Sequence, residues 1–257
     1  MWKSFALTLL VIVSLVAMAG EPCGPPPHFG YDNSASNGPF YWGSLKSQWE
    51  GCSNGVKQSP IDLRDSIFPA PVMTVTYGPM LVAGGPAMRF EHKGHDLDVY
   101  NANSANKITV GGNPYNFVRF HIHTPSEHTV AGSHYAAEIH FVNARGNRNA
   151  VLAVMVATTM TPNPQIQMLL DSIPRACTTD ERTDRPINAA GLLPANRRNY
   201  FSYEGSLTTP GCDQNVTWFV LKTPIFATAE QIRRLREKFG DNARPIQDPR
   251  GRVVTMR

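Results

Sequence analysis

From Gln58 onward the chain is written in short apolar or alternating runs cut by glycine, proline and asparagine. VMTVTY, HDLDVYN, NKITVGG, NFVRFHIH, AAEIHFVNA, NAVLAVMVAT and VTWFVLKTP are all of strand length, and such a succession predicts a mainly β fold. Only two segments have persuasive helical spacing. NPQIQMLLDSIP offers Asn163 as cap and Pro164 in the first turn, with Ile166, Leu169, Leu170 and Ile173 on one face. TAEQIRRLREKFG carries a capping box in Thr228 and Gln231, an apolar face of Ile232, Leu235 and Phe239, and Gly240 as its stop. No repeat or linker interrupts residues 58–257. A single domain over residues 20–257 is expected, mainly β (α+β), with the Gly/Pro/Asn-rich residues 20–40 as an extended arm.

The first nineteen residues belong to another category. Lys3 precedes an apolar run from Phe5 to Met18, and Ala17-Met18-Ala19 supplies small residues for cleavage. That pattern predicts a secretory signal peptide over 1–19, with an uncleaved anchor as the alternative. The run is short against the roughly 20 residues of a membrane span. Export to the periplasm or beyond makes the four cysteines, Cys23, Cys52, Cys177 and Cys212, candidates for disulfides. Spacing alone leaves three pairings open. No CxxC or CxxH pair suggests a thiolate metal site. The formal charge of +4 comes without any dense Lys/Arg run, so neither nucleic acid nor a membrane surface is an expected partner.

The chemistry concentrates in FHIHTPSEH, residues 120–128. In a strand, side chains two apart share a face about 6.5–7 Å from one another, so His121 and His123 can reach one ion together. In AEIHFVN the same alternation puts Glu138, His140 and Val142 on one face. The intervening TPSEHTVAGSHYA contains the Pro and Gly of a return, which would deliver a third imidazole from an antiparallel neighbour. Three neutral imidazoles leave a fourth position open on Zn²⁺, the pattern of a catalytic rather than a structural site. A water held there ionises near pH 7. Glu138 is placed to accept the other ring N–H of His140. Read alone, an HxH pair in a strand is more often a hydrogen-bonded or surface pair of histidines.

A further stretch, YEGSLTTPGC (203–212), changes that balance. With QSPIDL (58–63), HIHTPSEH and AEIHFVNA in this order, it resembles the α-class carbonic anhydrases, and within them the secreted bacterial type. The resemblance runs from about Tyr31 to Arg244. It implies a large, mostly antiparallel, twisted central β-sheet with short peripheral helices and zinc at the floor of a conical cleft. The implied reaction is reversible hydration of CO₂ to bicarbonate and a proton, by attack of zinc-bound hydroxide. By this resemblance His121, His123 and His140 are the zinc ligands. Thr208 is the gatekeeper, donating its proton to Glu127, and Thr209 lines the polar side of the cavity. Val142, Val154, Leu207 and Trp218 form the apolar CO₂ surface, although as bare residues they read equally well as core. His95, after Gly94, is the implied proton shuttle, with His92 as its competitor. Tyr31, Lys93 and Asp98 fall where cavity water is organised, and His128 resembles a buried, hydrogen-bonded histidine. His28 and His134 receive no role. Anions and sulfonamide-type inhibitors are expected ligands, and a homodimer is an allowed assembly.

The match also has departures. Two residues before the first zinc ligand the family usually has glutamine, whose carbonyl accepts that ligand's second N–H; here stands Arg119, which has donors only. Gly211 replaces a proline after SLTTP, which should loosen that turn. Cys52 and Cys212 occupy the positions of the disulfide in secreted bacterial members, while Cys23 and Cys177 stay unassigned. The competing functions are a catalytically weak or inactive binding or adhesion module that keeps the fold, and a metal buffer using the eight histidines.

Overall fold

The structure, a computed structural model, describes Cys23 and residues 28–257; the expected signal peptide lies outside the described residues. Eleven strands form one large sheet: β1 (Met73–Thr76), β2 (Met88–His92), β3 (Leu97–Tyr100), β4 (Lys107–Val110), β5 (Asn113–His123), β6 (Ala137–Arg145), β7 (Arg148–Thr159), β8 (Thr179–Arg182), β9 (Tyr200–Gly205), β10 (Val216–Thr228) and β11 (Thr255–Met256). Their order is β8-β2-β3-β5-β6-β7-β10-β9-β11, with β4 also pairing β5 and β1 pairing β4. Every pairing is antiparallel except β7 with β10. The mostly antiparallel central sheet implied by the resemblance is therefore present.

The long central strands exist because they are apolar on both faces. One face of β7 and β10 joins Val154, Leu152, Phe219 and Leu221 to the main core; the other joins Val151, Ala153, Trp218 and Val220 to a second core. Burying a side chain of that size stabilises by about 1.5–3 kcal/mol. Both predicted helices form. Asn163 caps Pro164–Leu170 by accepting from the backbone N–H of Gln165 and Ile166 at 3.0 and 3.2 Å. That helix ends three residues before Ile173. Thr228 and Gln231 close their capping box on Ala229–Phe239, and Gly240 stops it at φ +72°. The described part of the arm, residues 28–40, consists of bends and turns. It is anchored by Phe29 and Tyr31, which pack edge-on against buried Trp42 at 5.4 Å each.

Two disulfides tie these parts together. Cys52–Cys212 matches the expected pair, and Cys23–Cys177, left open by the sequence, joins the arm to the segment before β8. Among the described residues no helix is long and apolar enough to cross a membrane.

Candidate metal centre and cleft

The antiparallel return predicted after the HxH pair brings the third imidazole directly opposite the first. In the β5–β6 register His121 faces His140, and His123 faces Glu138. The rings of His121, His123 and His140 lie 4.6–5.3 Å apart, centroid to centroid. All three side chains are buried. One nitrogen from each comes within 4.8 Å of the others, close enough to share an ion.

What surrounds each ring decides which nitrogen is free. His123 donates Nδ1–H to the Asn242 carbonyl at 2.7 Å, and its buried Nε2 has no protein partner. His140 gives its Nε2 to Glu138 at 2.9 Å, which leaves Nδ1. Burial pulls His140 down to about 4 against the opposing pull of Glu138, and pulls His121 well below its ordinary value, with His123 and His140 adding to the effect. Neutral imidazoles are the donors a divalent zinc-like ion requires, and burial favours that form of His121 and His140, so the three converging rings fit the metal that the sequence implies.

Glu138 does more than orient His140. It also takes the His128 backbone N–H at 2.8 Å and ring Nδ1 at 2.7 Å, and His128 reaches on to the Tyr203 hydroxyl at 2.6 Å. Burial alone would raise the Glu138 carboxyl, but His128 and His140 hold it well below the usual range. It is a permanent anion beneath the centre.

Glu127 is the opposite case. It is fully buried, 3.6 Å from His123 Nε2 and 3.8 Å from His140 Nδ1. Burial pushes it up to about 8, although the Thr208 hydroxyl and the Arg244 backbone N–H (2.8 Å) favour its charged form. Thr208 is buried beside it on the loop after β9. That loop is pinned three ways: Trp218 Nε1 donates to the Ser206 carbonyl at 3.0 Å, Leu207 N–H to Asp213, and Cys212 is bonded to Cys52. Gly211 within it has φ +104°, which the fixed ring of proline cannot adopt. The turn as it stands takes glycine rather than proline.

The residues expected to form the apolar wall do not all share one cluster. Val142 and Trp218 lie in one cluster with partly buried Leu207 packed against it. Val154 is not there. It pairs with Ile139, whose side chain points away from the imidazoles, and both belong to the core on the other side of the sheet. Val151, directly opposite Val142, takes that place beside Trp218.

Above the imidazoles a cleft of about 470 Å³ is lined by His95, Lys93, Arg119, Thr209, Phe29 and the Cys23–Cys177 pair among others. His95 is half-buried, its ring 4.4 Å from Phe29 and 5.6 Å from Tyr31. His92 is buried, accepts the Gly94 N–H on Nδ1 at 3.0 Å and packs on Phe239, so its ring is engaged elsewhere. Arg119 turns to Asp98 at 2.7 Å.

Sequence reasoning missed the segment 242–244. Asn242 supplies the acceptor for His123, while buried Arg244 ties Glu127 to Gln58, Ser59 and Cys52 through backbone and guanidinium. Its residues lie outside any helix or strand, so no periodicity marks them as internal.

Comparisons with known proteins agree with this geometry. A family model described as eukaryotic-type carbonic anhydrase matches residues 37–257. A carbonic anhydrase of Neisseria gonorrhoeae is 30% identical over 250 residues, covering 96% of this chain and 95% of that protein. Alpha carbonic anhydrase 4 of Arabidopsis thaliana is 36% identical over 239 residues, covering 88% and 84%. The α-carbonic anhydrase of Thermovibrio ammonificans, solved in complex with the inhibitor sulfanilamide, superposes with a TM-score of 0.79 at 34% identity, covering 90% of this chain and 100% of that one. With the match running through both motif strands, the Thr208 loop and the C-terminal segment, this chain belongs to the eukaryotic-type, or alpha, carbonic anhydrase family of enzymes.

Proposed function

We propose that the protein catalyses the zinc-dependent, reversible hydration of CO₂ to bicarbonate and a proton, as a periplasmic or secreted enzyme. The observation that carries this reading is the convergence of three buried imidazoles beside the Glu127–Thr208 pair. His121, His123 and His140 hold the ion. When bound, Zn²⁺ supplies Lewis-acid activation, making a nucleophile from water at neutral pH.

The rest is done by the chain's own groups. Glu138 and the Asn242 carbonyl lock the His140 and His123 tautomers. Thr208, held toward Glu127, accepts a hydrogen bond from the attacking oxygen and thereby fixes which lone pair faces the substrate. Val142, Leu207, Trp218 and, in place of Val154, Val151 offer apolar surface to apolar CO₂. Thr209 faces the departing bicarbonate. His95 lines the cleft and is the candidate carrier of the proton. The sulfanilamide-bound relative supports sulfonamide binding here as well. Two disulfides and the predicted signal peptide support export.

The test is stopped-flow CO₂ hydration from pH 6 to 9 by mature protein, with metal content measured. One zinc per chain and a rate rising through a pKa near 7 are expected. Zinc bound without a rate above background would favour the binding-module reading, and several ions per chain a metal buffer.

A further inference from the structure

Arg119 cannot accept the second N–H of His121, yet His121 is not left without an acceptor. Strands β3 and β5 pair Val99 with Phe120 and Tyr100 with Arg119, so the next pair in register sets Asp98 opposite His121 on the same face. The Asp98 side chain is 2% exposed. Its Oδ1 takes Arg119 Nε at 2.7 Å and lies 3.5 Å from His121 Nδ1, while Oδ2 pairs with Lys93 Nζ. Among the described residues Asp98 is the only carboxylate within 4 Å of a His121 ring nitrogen, with Asp96 in the same cluster farther off, and His121 Nδ1 is buried with no other partner.

Resting on the metal-centre reading above, we propose that Asp98 is the positioning residue for His121: its carboxylate accepts the Nδ1–H and presents Nε2 to the ion. Arg119 and Lys93 are its counter-cations. A buried carboxylate with no such partners would carry a large desolvation cost. Donors on both of its oxygens, with the Tyr100 hydroxyl at 3.5 Å from Oδ2 as well, fix its plane. The 3.5 Å separation is longer than a formed N–H···O bond and closes when the ion draws the ring into place. The group that appeared to break the family's support for this ligand thus becomes part of a replacement for it: a cation holding an anion that does the accepting.

The experiment is zinc affinity by chelator competition on the mature protein, with unfolding of the metal-free form measured in parallel. Asp98→Ala should weaken zinc binding by roughly 10–100-fold, the usual effect of losing such a partner. Asp98→Asn keeps an acceptor oxygen but loses both ion pairs, so it should cost zinc affinity much less than alanine does. The double variant Asp98→Ala/Arg119→Gln places a neutral carbonyl on the His121 face and should recover most of the loss. If Asp98 only anchors its two cations, Asn and Ala will destabilise the metal-free protein alike and leave zinc affinity within about threefold of wild type, which overturns the inference. Should Asp98→Ala fail to fold, Asp98→Leu takes its place beside Asp98→Asn, both lacking the ion pairs and only Asn keeping an acceptor: zinc binding roughly tenfold or more weaker in Leu than in Asn supports the role, and affinities within about threefold of each other refute it. Wild-type protein that binds no zinc overturns the metal-centre reading itself, whereas zinc-binding wild type with an indifferent Asp98 overturns this inference alone.

Discussion

His95 sits in the right place for a proton carrier and in the wrong surroundings. Burial pulls it down to about 4, with the nearby charge of Lys93 adding to the shift and Asp98 opposing it. A proton leaving a group that ionises near pH 7 must climb about three pKa units to reach it, roughly 4 kcal/mol or 10³ in the transfer equilibrium. General acid–base groups work best near the operating pH. Phe29, at 4.4 Å, is the ring that covers His95. Phe29→Ala should let the imidazole into water, return its pKa toward about 6.5, and raise turnover in weak buffer about tenfold or more. Since Phe29 also meets Trp42 and Trp49 at 5.4 and 6.0 Å, Phe29→Leu serves as the packing control. The assay is stopped-flow hydration near pH 7.5 in poor buffer with and without imidazole, alongside an NMR titration of His95. Imidazole should accelerate wild type far more than Phe29→Ala, and His95→Ala alone should cost less than about threefold. Wild-type His95 titrating near 6.5, with His95→Ala losing tenfold or more and imidazole restoring it, would refute the reasoning.

Three other outcomes are expected. Thr208→Ala should keep one zinc per chain and lose roughly 10²-fold in kcat/KM, because orientation rather than metal binding is removed. Replacing Cys52 and Cys212 by serine opens a cross-link between residues 160 apart and should lower unfolding stability by up to about 5 kcal/mol in urea, by the chain-entropy account. In the metal-free protein, His140 at about 4 and Glu127 at about 8 act with opposite signs. Between pH 4.5 and 6.5 the unfolded state binds the proton that His140 refuses, so stability rises with pH. Over the same window folded Glu127 retains a proton that the unfolded state releases, so stability falls. Glu127→Gln removes only the second effect, and metal-free stability should rise more steeply from pH 5 to 6.5, by up to about 1.4 kcal/mol per unit. An unchanged slope in equilibrium unfolding would mean Glu127 is ionised throughout.

What the sequence shows of this site follows from how each strand is buried. In β5 and β6 the alternation around His121, His123, Glu138 and His140 could be read as a shared face, and the β5–β6 register bears it out. In β7 it could not. Residues 150–156 are buried without a break, so apolar alternation carries no phase, and a wall residue can be assigned to the wrong side. The phase comes from pairing: His140 opposite Ala153 puts Val151 with Val142 and turns Val154 to the other core. Strand β8, Thr-Asp-Glu-Arg, is a polar edge strand with nothing to mark it but its hydrogen bonds to β2. Asn242 and Arg244 are invisible for a related reason, since irregular segments have no period to violate.

Arg119 misleads for a similar reason when read along its own strand. Substituting a donor-only side chain for an acceptor looks like a loss at position 119, because the sequence displays neighbours at i±2 and hides those across the ladder. Asp98 is twenty-one residues away in the chain and adjacent to His121 in the sheet. Once that neighbour is counted, Lys93, Asp98 and Arg119 form one charged group, and its parts cannot be judged separately. Removing Arg119 alone would leave a buried carboxylate with a single cation, and removing Asp98 alone would leave two cations beside a site meant for a third. A compensated substitution of this kind has to be read as a group, and the sheet register determines who belongs to it.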